Sequence, residues 1–360
     1  MNYVEPPVAD ILEFIAQEGC TDTQFDQLAL RLFAYQYNAS ASYRSFCQRR
    51  GATVRNVKSW NDIPAVPIDA FKAMELRCEP PTPTERVFMT SGTTRADMRG
   101  RHFHPRLDVY NLSMTRNFAQ RFMQGVERMP MGILFPDDIA MPNSSLAHYL
   151  ALAKTTFGTD DSRYFMSPTG IDLEGLWQRL AQAERSGEPY ALLGASYSFV
   201  HVIDALRKAG RSFRLPAGSR ILDTGGYKGQ SRELPLEAFY SALSELLGVP
   251  RHLCINMYGM TELSTQFYDD GNAVVPSVKS GPHWIRSRLV DPATGRTVPA
   301  GERGILAHCD LGNFNSVNTI LTEDVGEPVE GGFLLLGRAE GAQAKGCSLA
   351  VEEFIRSVAP

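Results

Sequence analysis

The chain has 360 residues, long enough to bury a large core and to divide into two or three domains. Its composition, 43% hydrophobic and 21% charged, is that of a soluble globular protein. Lys and Arg total 36 against 40 Asp and Glu, a formal charge of −4 without long runs of one sign, so a nucleic-acid partner gains no support.

No apolar run approaches the roughly 18 residues that a membrane span requires. Glu5 and Asp10 stand where a signal peptide would carry positive charge. The six cysteines, at 20, 47, 78, 254, 309 and 347, form no CxxC pair, which favours a reducing compartment. A cytoplasmic protein is expected.

The first 60 residues read as helical: Phe25, Leu28, Leu32 and Tyr35 recur at intervals of three and four after the capping sequence TDT. The proline-punctuated stretches DIPAVPIDAFK and CEPPTPTE then break regular structure ahead of MTSGTTR, residues 89–95. From residue 190 strands and helices alternate. YALLG is a short apolar run, and SFVHVIDALRKAG is a helix buried through Phe199, Val202, Ile203 and Leu206 and stopped at Gly210. RILDTGG is a second strand and turn. PLEAFYSALSELLG is a helix with the stripe Leu236, Phe239, Leu243 and Leu247, and HLCINMYG is a third strand. This alternation predicts an α/β fold with parallel pairing. A helix before it carries the core stripe Leu173, Leu176, Trp177 and Leu180.

From about residue 283 the pattern changes. RLVDPATGRTVPAGERGILAH reads as a hairpin and GGFLLLGRAEG as another strand. The expected organisation is therefore an α/β core over 1–282 and a β-rich subdomain with a C-terminal tail over 283–360.

Four polar clusters carry the chemistry. Thr90, Ser91, Gly92, Thr93 and Thr94 offer hydroxyls and backbone N–H groups that can wrap an anion without a Walker lysine; Arg95 stands where that lysine would be. Tyr258, Gly259, Thr261 and Glu262 lie in MYGMTE, just past a strand end, the edge where open α/β sheets bind ligands. There an aromatic ring can stack on a base, and a glutamate can hold Mg²⁺ through hard oxygens. TEDVG supplies Asp324, suited to a ribose diol, in what reads as a glycine-containing turn, and GRAEG supplies Arg338, a fork for phosphate or ribose oxygens.

In this order the four clusters resemble the acyl- and aryl-adenylate-forming enzymes, whose motifs read TSGTTG, YGxTE, TxDxG and GR. The resemblance spans about residues 60–348 and implies the large N-terminal domain of such an enzyme, with parallel and mixed sheets flanked by helices and a small β-rich subdomain. It implies that Thr90 to Thr94 embrace the ATP phosphates, Tyr258 stacks on adenine, Thr261 meets the α-phosphate and Glu262 holds Mg²⁺. Asp324 would hold the ribose, Arg338 would close on ribose or phosphate, and Gly225 and Gly226 match a glycine pair lying along the adenine. Within that group TGGYKG and AKGCSLAVEEF are most similar to the acyl-protein synthetases of bacterial bioluminescence (LuxE-like), with relatives in phenazine antibiotic biosynthesis also similar.

Two departures shape the remaining expectations. The phosphate loop continues Arg95-Ala-Asp-Met-Arg99-Gly100-Arg101 instead of Gly-Lys-Gly, and the chain stops at Pro360. The mobile C-terminal lid of fuller relatives, with its lysine, is thus expected to be absent. Lys228 in GGYKG is the first candidate for a replacement cation, or else a surface lysine in a turn. Cys347 in KGCS, near Lys345, is a candidate acyl acceptor, or else a small buried hydrophobe. His102 and His104 form an HxH without a third metal ligand at a useful spacing, which reads as a polar site wall or surface. The aspartate pairs at 137–138, 160–161 and 269–270 read as loop and capping carboxylates. Ala195, Tyr197 and Phe199 are expected to line the acid pocket.

The expected function is ATP-dependent activation of a small-molecule carboxylic acid as acyl-AMP, with transfer to a thiol on Cys347 or on an acceptor protein, and hand-over to a partner reductase. Two alternatives stay open: adenylation of an aromatic acid in secondary metabolism, and a catalytically silent nucleotide binder. The oligomeric state is not legible.

Overall fold

The computed structural model describes residues 5–83, 85–91, 99–167, 169–226, 229–291, 294–299, 301–340, 352 and 354–356. Among these residues no helix is long and apolar enough to cross a membrane. Contacts divide the chain into two compact units: one of residues 1–116, 260–265 and 280–360, the other of 117–259 and 266–279. The grouping is discontinuous, whereas the expected division at 282/283 is a single linear cut.

The second unit is the α/β core. Its sheet runs in the order Phe267–Tyr268, Cys254–Tyr258, Arg220–Thr224, Ala191–Ala195, Met131–Leu134 and Arg163–Tyr164. All neighbours pair in parallel except the short edge strand Phe267–Tyr268, which is antiparallel. Ala191–Ala195 and Arg220–Thr224 are buried at every position, as strands covered on both faces must be.

The helices Leu173–Ser186, Ser196–Ala209 and Leu236–Leu247 bring their stripes into one core cluster that includes Leu176, Trp177, Leu180, Phe199, Ile203 and Leu243. Phe199 is fully buried within that cluster, so it belongs to the core and not to a pocket wall. Helix Ser196–Ala209 ends at Gly210 and Leu236–Leu247 at Gly248, with φ of 60° and 70°, left-handed conformations that glycine adopts without Cβ strain.

In the first unit, the N-terminal segment folds into helices Val8–Ala16, Asp22–Ala39 and Ala41–Arg49. Thr21 and Gln24 form a full capping box at the second of them. Four strands, Ile285–Val290, Gly304–Asp310, Thr319–Val329 and Gly332–Arg338, pair antiparallel in sequence order, and Val66–Pro67 joins Thr319–Val329 in parallel. The hairpin and the later strand expected from the sequence are both present. TEDVG, however, is not a turn: it lies within the strand Thr319–Val329, where a register shift at Val325/Gly326 interrupts the ladder. Glu, Asp and Gly are all depleted in strands, so the stretch reads locally as a turn, and only pairing on both sides makes it a strand. Val290, Ile305, Ala307, Leu321 and Val325 pack a small core on this sheet.

The stripe on Leu236–Leu247 is buried unevenly: Leu243 is 0% exposed and Leu236, at the helix start, is 46% exposed. Leu243→Ala is therefore expected to cost about 3 kcal/mol through lost transfer energy and a cavity, and Leu236→Ala less than about 0.5 kcal/mol. Urea unfolding midpoints of the two variants check this, and equal shifts would refute the packing described.

Candidate functional site

The strands Arg86–Met89 and Arg101–His104 form an antiparallel hairpin whose connection is the Ser/Thr/Gly loop. Thr90 closes its base twice: its N–H donates to the Gly100 carbonyl at 3.0 Å, and its hydroxyl accepts from the Gly100 N–H at 2.9 Å. Ser91 follows and is exposed; Gly92, Thr93 and Thr94 lie outside the described residues.

Glu262 meets this loop base. A Cβ placed on Gly100 would come within 3.1 Å of Glu262 Oε1 and 3.1 Å of Thr90 Cγ2, so a side chain there would crowd that carboxylate. Glu262 is 4% exposed, and burial pushes its carboxyl up to about 7, with a hydrogen bond from its own backbone N–H and the charges of Lys72 and Arg338 pulling it down and Asp69 pushing it up. Lys72 lies in the short helix Ala70–Ala73 and pairs with Asp69 at 2.5 Å. Neither Gly100 nor Lys72 was singled out by sequence. Gly100 stands outside the motif, and Lys72 is an ordinary lysine until the fold brings its charge to bear on Glu262.

The segment carrying Thr261 and Glu262 is neither helix nor strand, so its backbone groups take partners from elsewhere. The Thr261 carbonyl accepts from His102 Nδ1 at 3.0 Å. The Glu262 carbonyl accepts from Asn313 Nδ2 at 2.8 Å. The Ser264 N–H donates to Asp310 Oδ2 and to Asn313 Oδ1, both at 2.9 Å, and the Thr265 N–H donates to Asp310 Oδ2 at 2.8 Å. Asp310 Oδ1 accepts further from the Thr265 hydroxyl and the Gly312 N–H. Burial pushes the Asp310 carboxyl up to about 6, and the donated hydrogen bonds keep it from rising further.

His102 and His104 are both buried, their rings 4.2 Å apart, so of the two expected positions, polar site wall or surface, the surface one is excluded. Burial lowers His102 to about 4, and the ring is neutral. Among the described residues no group of three or more His, Cys, Asp or Glu could hold a metal. The hairpin's β-alternation is broken here: His102, Phe103 and His104 are buried in succession, a pattern that a polar sequence does not announce.

Asp324 and Arg338 are direct cross-strand partners in the ladder. Arg338 Nη1 lies 3.4 Å from Glu323 Oε2 and Arg338 Nε 3.8 Å from Asp324 Oδ1, with the guanidinium largely exposed. Motifs fourteen positions apart in sequence thus become neighbours through one antiparallel pairing.

In the second unit, Tyr258 ends the strand Cys254–Tyr258, buried and tilted against Phe267 at 5.8 Å between ring centroids. Gly259 follows, where a Cβ would come 3.2 Å from Met257 Sδ. Gly225 and Gly226 follow the strand Arg220–Thr224. Gly225 has φ of 73°, while a Cβ at either glycine would meet nothing within 4 Å. The turn is tied down by Ser196, whose hydroxyl lies 2.8 Å from the Gly225 carbonyl and 2.7 Å from Asp223 Oδ2. Asp223 also accepts from Tyr240 and Asn256, and burial raises its carboxyl to about 6.

Asp269 qualifies another expectation. It is a loop carboxylate, accepting from the Gly271 N–H, but it is fully buried and paired with Lys279 Nζ at 2.6 Å. Lys228 and Cys347 lie outside the described residues. Burial pushes up the thiols of Cys47, Cys78, Cys254 and Cys309.

The profile of the family described as "Acyl-protein synthetase, LuxE" matches residues 9–355. The chain is 25% identical over 344 residues to the long-chain-fatty-acid–luciferin-component ligase of Vibrio harveyi, covering 91% of this chain and 88% of the relative. The protein of that name from Aliivibrio fischeri is 25% identical over 349 residues, covering 92% and 88%. Among solved structures, 2-hydroxyisobutyryl-CoA ligase in the postadenylation state with 2-HIB-AMP matches with a TM-score of 0.65 at 16% identity, over 97% of this chain and 77% of that one. ATP-bound MatB from Rhodopseudomonas palustris matches with a TM-score of 0.52 at 17% identity, over 70% and 47%. The likeness establishes the fold expected from the motifs.

The two glycines of the Gly225–Gly226 turn are separable by experiment. Gly225→Ala is expected to cost about 1–2 kcal/mol, because φ is left-handed there. Gly226→Ala is expected to change stability by less than about 0.5 kcal/mol, since its Cβ enters open space, yet to weaken ATP binding measured by calorimetry. Wild-type ATP affinity in Gly226→Ala would remove this turn from the nucleotide site.

Proposed function

The chain belongs to the acyl-protein synthetase (LuxE) family, and from that premise we propose how its residues divide the work of activating a carboxylic acid. The reaction is ATP-dependent acyl-AMP formation followed by acyl transfer to a thiol. A carboxylate oxygen bonds to the α-phosphorus of ATP as the bond to pyrophosphate breaks. A thiolate then attacks the acyl carbon and AMP leaves. The substrate class proposed is a fatty acid, the class in the names of both curated relatives. The aromatic-acid and silent-binder alternatives find no support in these names.

The observation that carries the assignment is the buried Glu262 carboxylate set against the Thr90–Gly100 loop base, with space that a side chain at position 100 would fill. A single buried carboxylate beside a phosphate loop fits Mg²⁺, which takes one or two protein oxygens and completes its shell with substrate phosphates and water. When bound there, Mg²⁺ would neutralise charge accumulating on the phosphates. Thr90 to Thr94 hold phosphate oxygens, and Thr261 donates its hydroxyl to the α-phosphate. Tyr258, Gly259, Gly225 and Gly226 take the adenine, Asp324 accepts from the ribose hydroxyls, and Arg338 bridges ribose and phosphate. Lys228 is the proposed additional cation and Cys347 the proposed acyl acceptor, from which a partner reductase would take the acyl group.

ATP–pyrophosphate exchange against a panel of fatty and aromatic acids, with and without Mg²⁺, tests the reading. Exchange is expected with fatty acids and Mg²⁺ together. No exchange with any acid would overturn it, and exchange with aromatic acids alone would overturn the substrate class. Glu262→Ala is expected to lower exchange at least about 100-fold. Cys347→Ser is expected to keep exchange and lose covalent labelling by radioactive acid; persistent labelling would remove Cys347 as acceptor.

A further inference from the structure

Of the side chains outside the proposed machinery, His102 touches it most directly. It lies on the strand Arg101–His104, its ring edge-on to Phe71 at 5.7 Å between centroids. Nδ1 is 3.0 Å from the Thr261 carbonyl, and Nε2 is 3.1 Å from the Ser316 hydroxyl. A carbonyl only accepts, so the ring proton sits on Nδ1, and Nε2 is left to accept from Ser316. One tautomer satisfies both contacts.

The next carbonyl, that of Glu262, is held by Asn313, which returns along the chain to take the Ser264 N–H. Asn313 and Ser316 belong to one segment, 311–318, between the strands Gly304–Asp310 and Thr319–Val329. Two consecutive carbonyls, those of the residues assigned to the α-phosphate and to the cation, are thereby fixed from outside their own segment. Neither interaction belongs to a helix or a sheet ladder. A buried imidazole and a buried amide are costly where apolar residues would fill the same space, and here the shortest donated bond of each goes to one of these two carbonyls, the amide also reaching the Val317 carbonyl at 3.4 Å.

We propose that His102 is a positioning residue for the reaction: through Nδ1 it fixes the Thr261 carbonyl, with Asn313 fixing that of Glu262, so that the Thr261 hydroxyl and Glu262 carboxylate are aimed before substrates bind. This rests on the adenylation reading above. It makes the DLGNFNSVN stretch (310–318) part of the active-site scaffold. His102 itself touches no substrate.

The two amide replacements of histidine separate this role from simple space filling. In His102→Asn the side-chain amide N–H falls near the position of Nδ1; in His102→Gln it falls near Nε2. Pyrophosphate exchange in folded variants, checked by circular dichroism and thermal melting, is expected within about threefold of wild type for His102→Asn. For His102→Gln and His102→Ala it is expected to fall about tenfold or more, in kcat more than in the KM for the acid. Equal activity of the Asn and Gln variants, or a ranking by side-chain volume, overturns the proposal. Asn313→Ala gives an independent reading: a raised Mg²⁺ requirement with an unchanged KM for the acid supports it, and a wild-type Mg²⁺ titration in the folded variant overturns it. If neither His102 amide variant folds, the Asn313→Ala titration decides. A wild-type protein without exchange would refute the adenylation reading itself, a result distinct from any ranking of variants.

Discussion

The carboxylate of Asp310 is the constraint on which the motif segment depends. Residues 261–265 leave a strand without entering a helix, so their N–H groups have no ladder to join, and the N–H groups of Ser264 and Thr265 converge on this one buried side chain. A carboxylate can accept about four hydrogen bonds, and Asp310 takes two from that backbone, one from the Thr265 hydroxyl and one from Gly312. The buried charge is tolerated because every lone-pair direction is used. An apolar residue there would leave the buried Thr265 and Gly312 N–H groups without this acceptor, while Ser264 would keep Asn313, and an amide would turn donors toward donors.

Around Glu262 the charges are arranged differently. Glu262 and Glu323 are both pushed up by burial, and the same cations, Lys72 and Arg338, act on both. Lys72 is already paired with Asp69, and Arg338 faces solvent beside Glu323 and Asp324. Glu262 therefore meets only partial compensation from its own chain. A divalent ion would supply the remainder and convert a costly buried carboxylate into a satisfied ligand. In the second unit the balance is closed internally: Asp269 has Lys279, and Asp223 has Ser196, Tyr240 and Asn256.

The elements were legible where periodicity and punctuation agreed. The stripe from Phe25 to Tyr35, the strand-to-helix alternation after Tyr190, the Gly210 and Gly248 stops and the hairpin across 285–310 all follow from local pattern. The motif residues were singled out by resemblance, and their roles stand as proposals. What sequence did not reveal rests on pairing between distant segments. Asp324 read as a turn residue because Gly326 follows it, and its partnership with Arg338 exists only in the ladder. His102 and His104 read as polar wall because nothing local shows Ser316 or the Thr261 carbonyl beside the ring. Asp269 looked like half of an acidic loop pair until Lys279 appeared ten residues on, buried with it. Phe199 carried two readings, a buried helical face and a pocket wall, and the core packing keeps the first.

The way the two units are drawn from the chain has a consequence for how the protein is made. The second unit uses one nearly continuous stretch, 117–279, interrupted only by residues 260–265. The first unit joins residues 1–116 to 280–360, and its buried contacts span the chain: Gln36 donates to the Asn313 carbonyl and accepts from the Asn318 N–H. During synthesis the N-terminal helices emerge first, and Phe33 meets Tyr43 within its own segment, yet the backbone that Gln36 pairs with at Asn313 and Asn318 arrives only after the α/β core has been made. The buried Gln36 amide thus waits through some 280 codons for its partners. The segment that orders Thr261 and Glu262 arrives in the same later stretch, so these two residues are held in place only once residues 310–318 have been made.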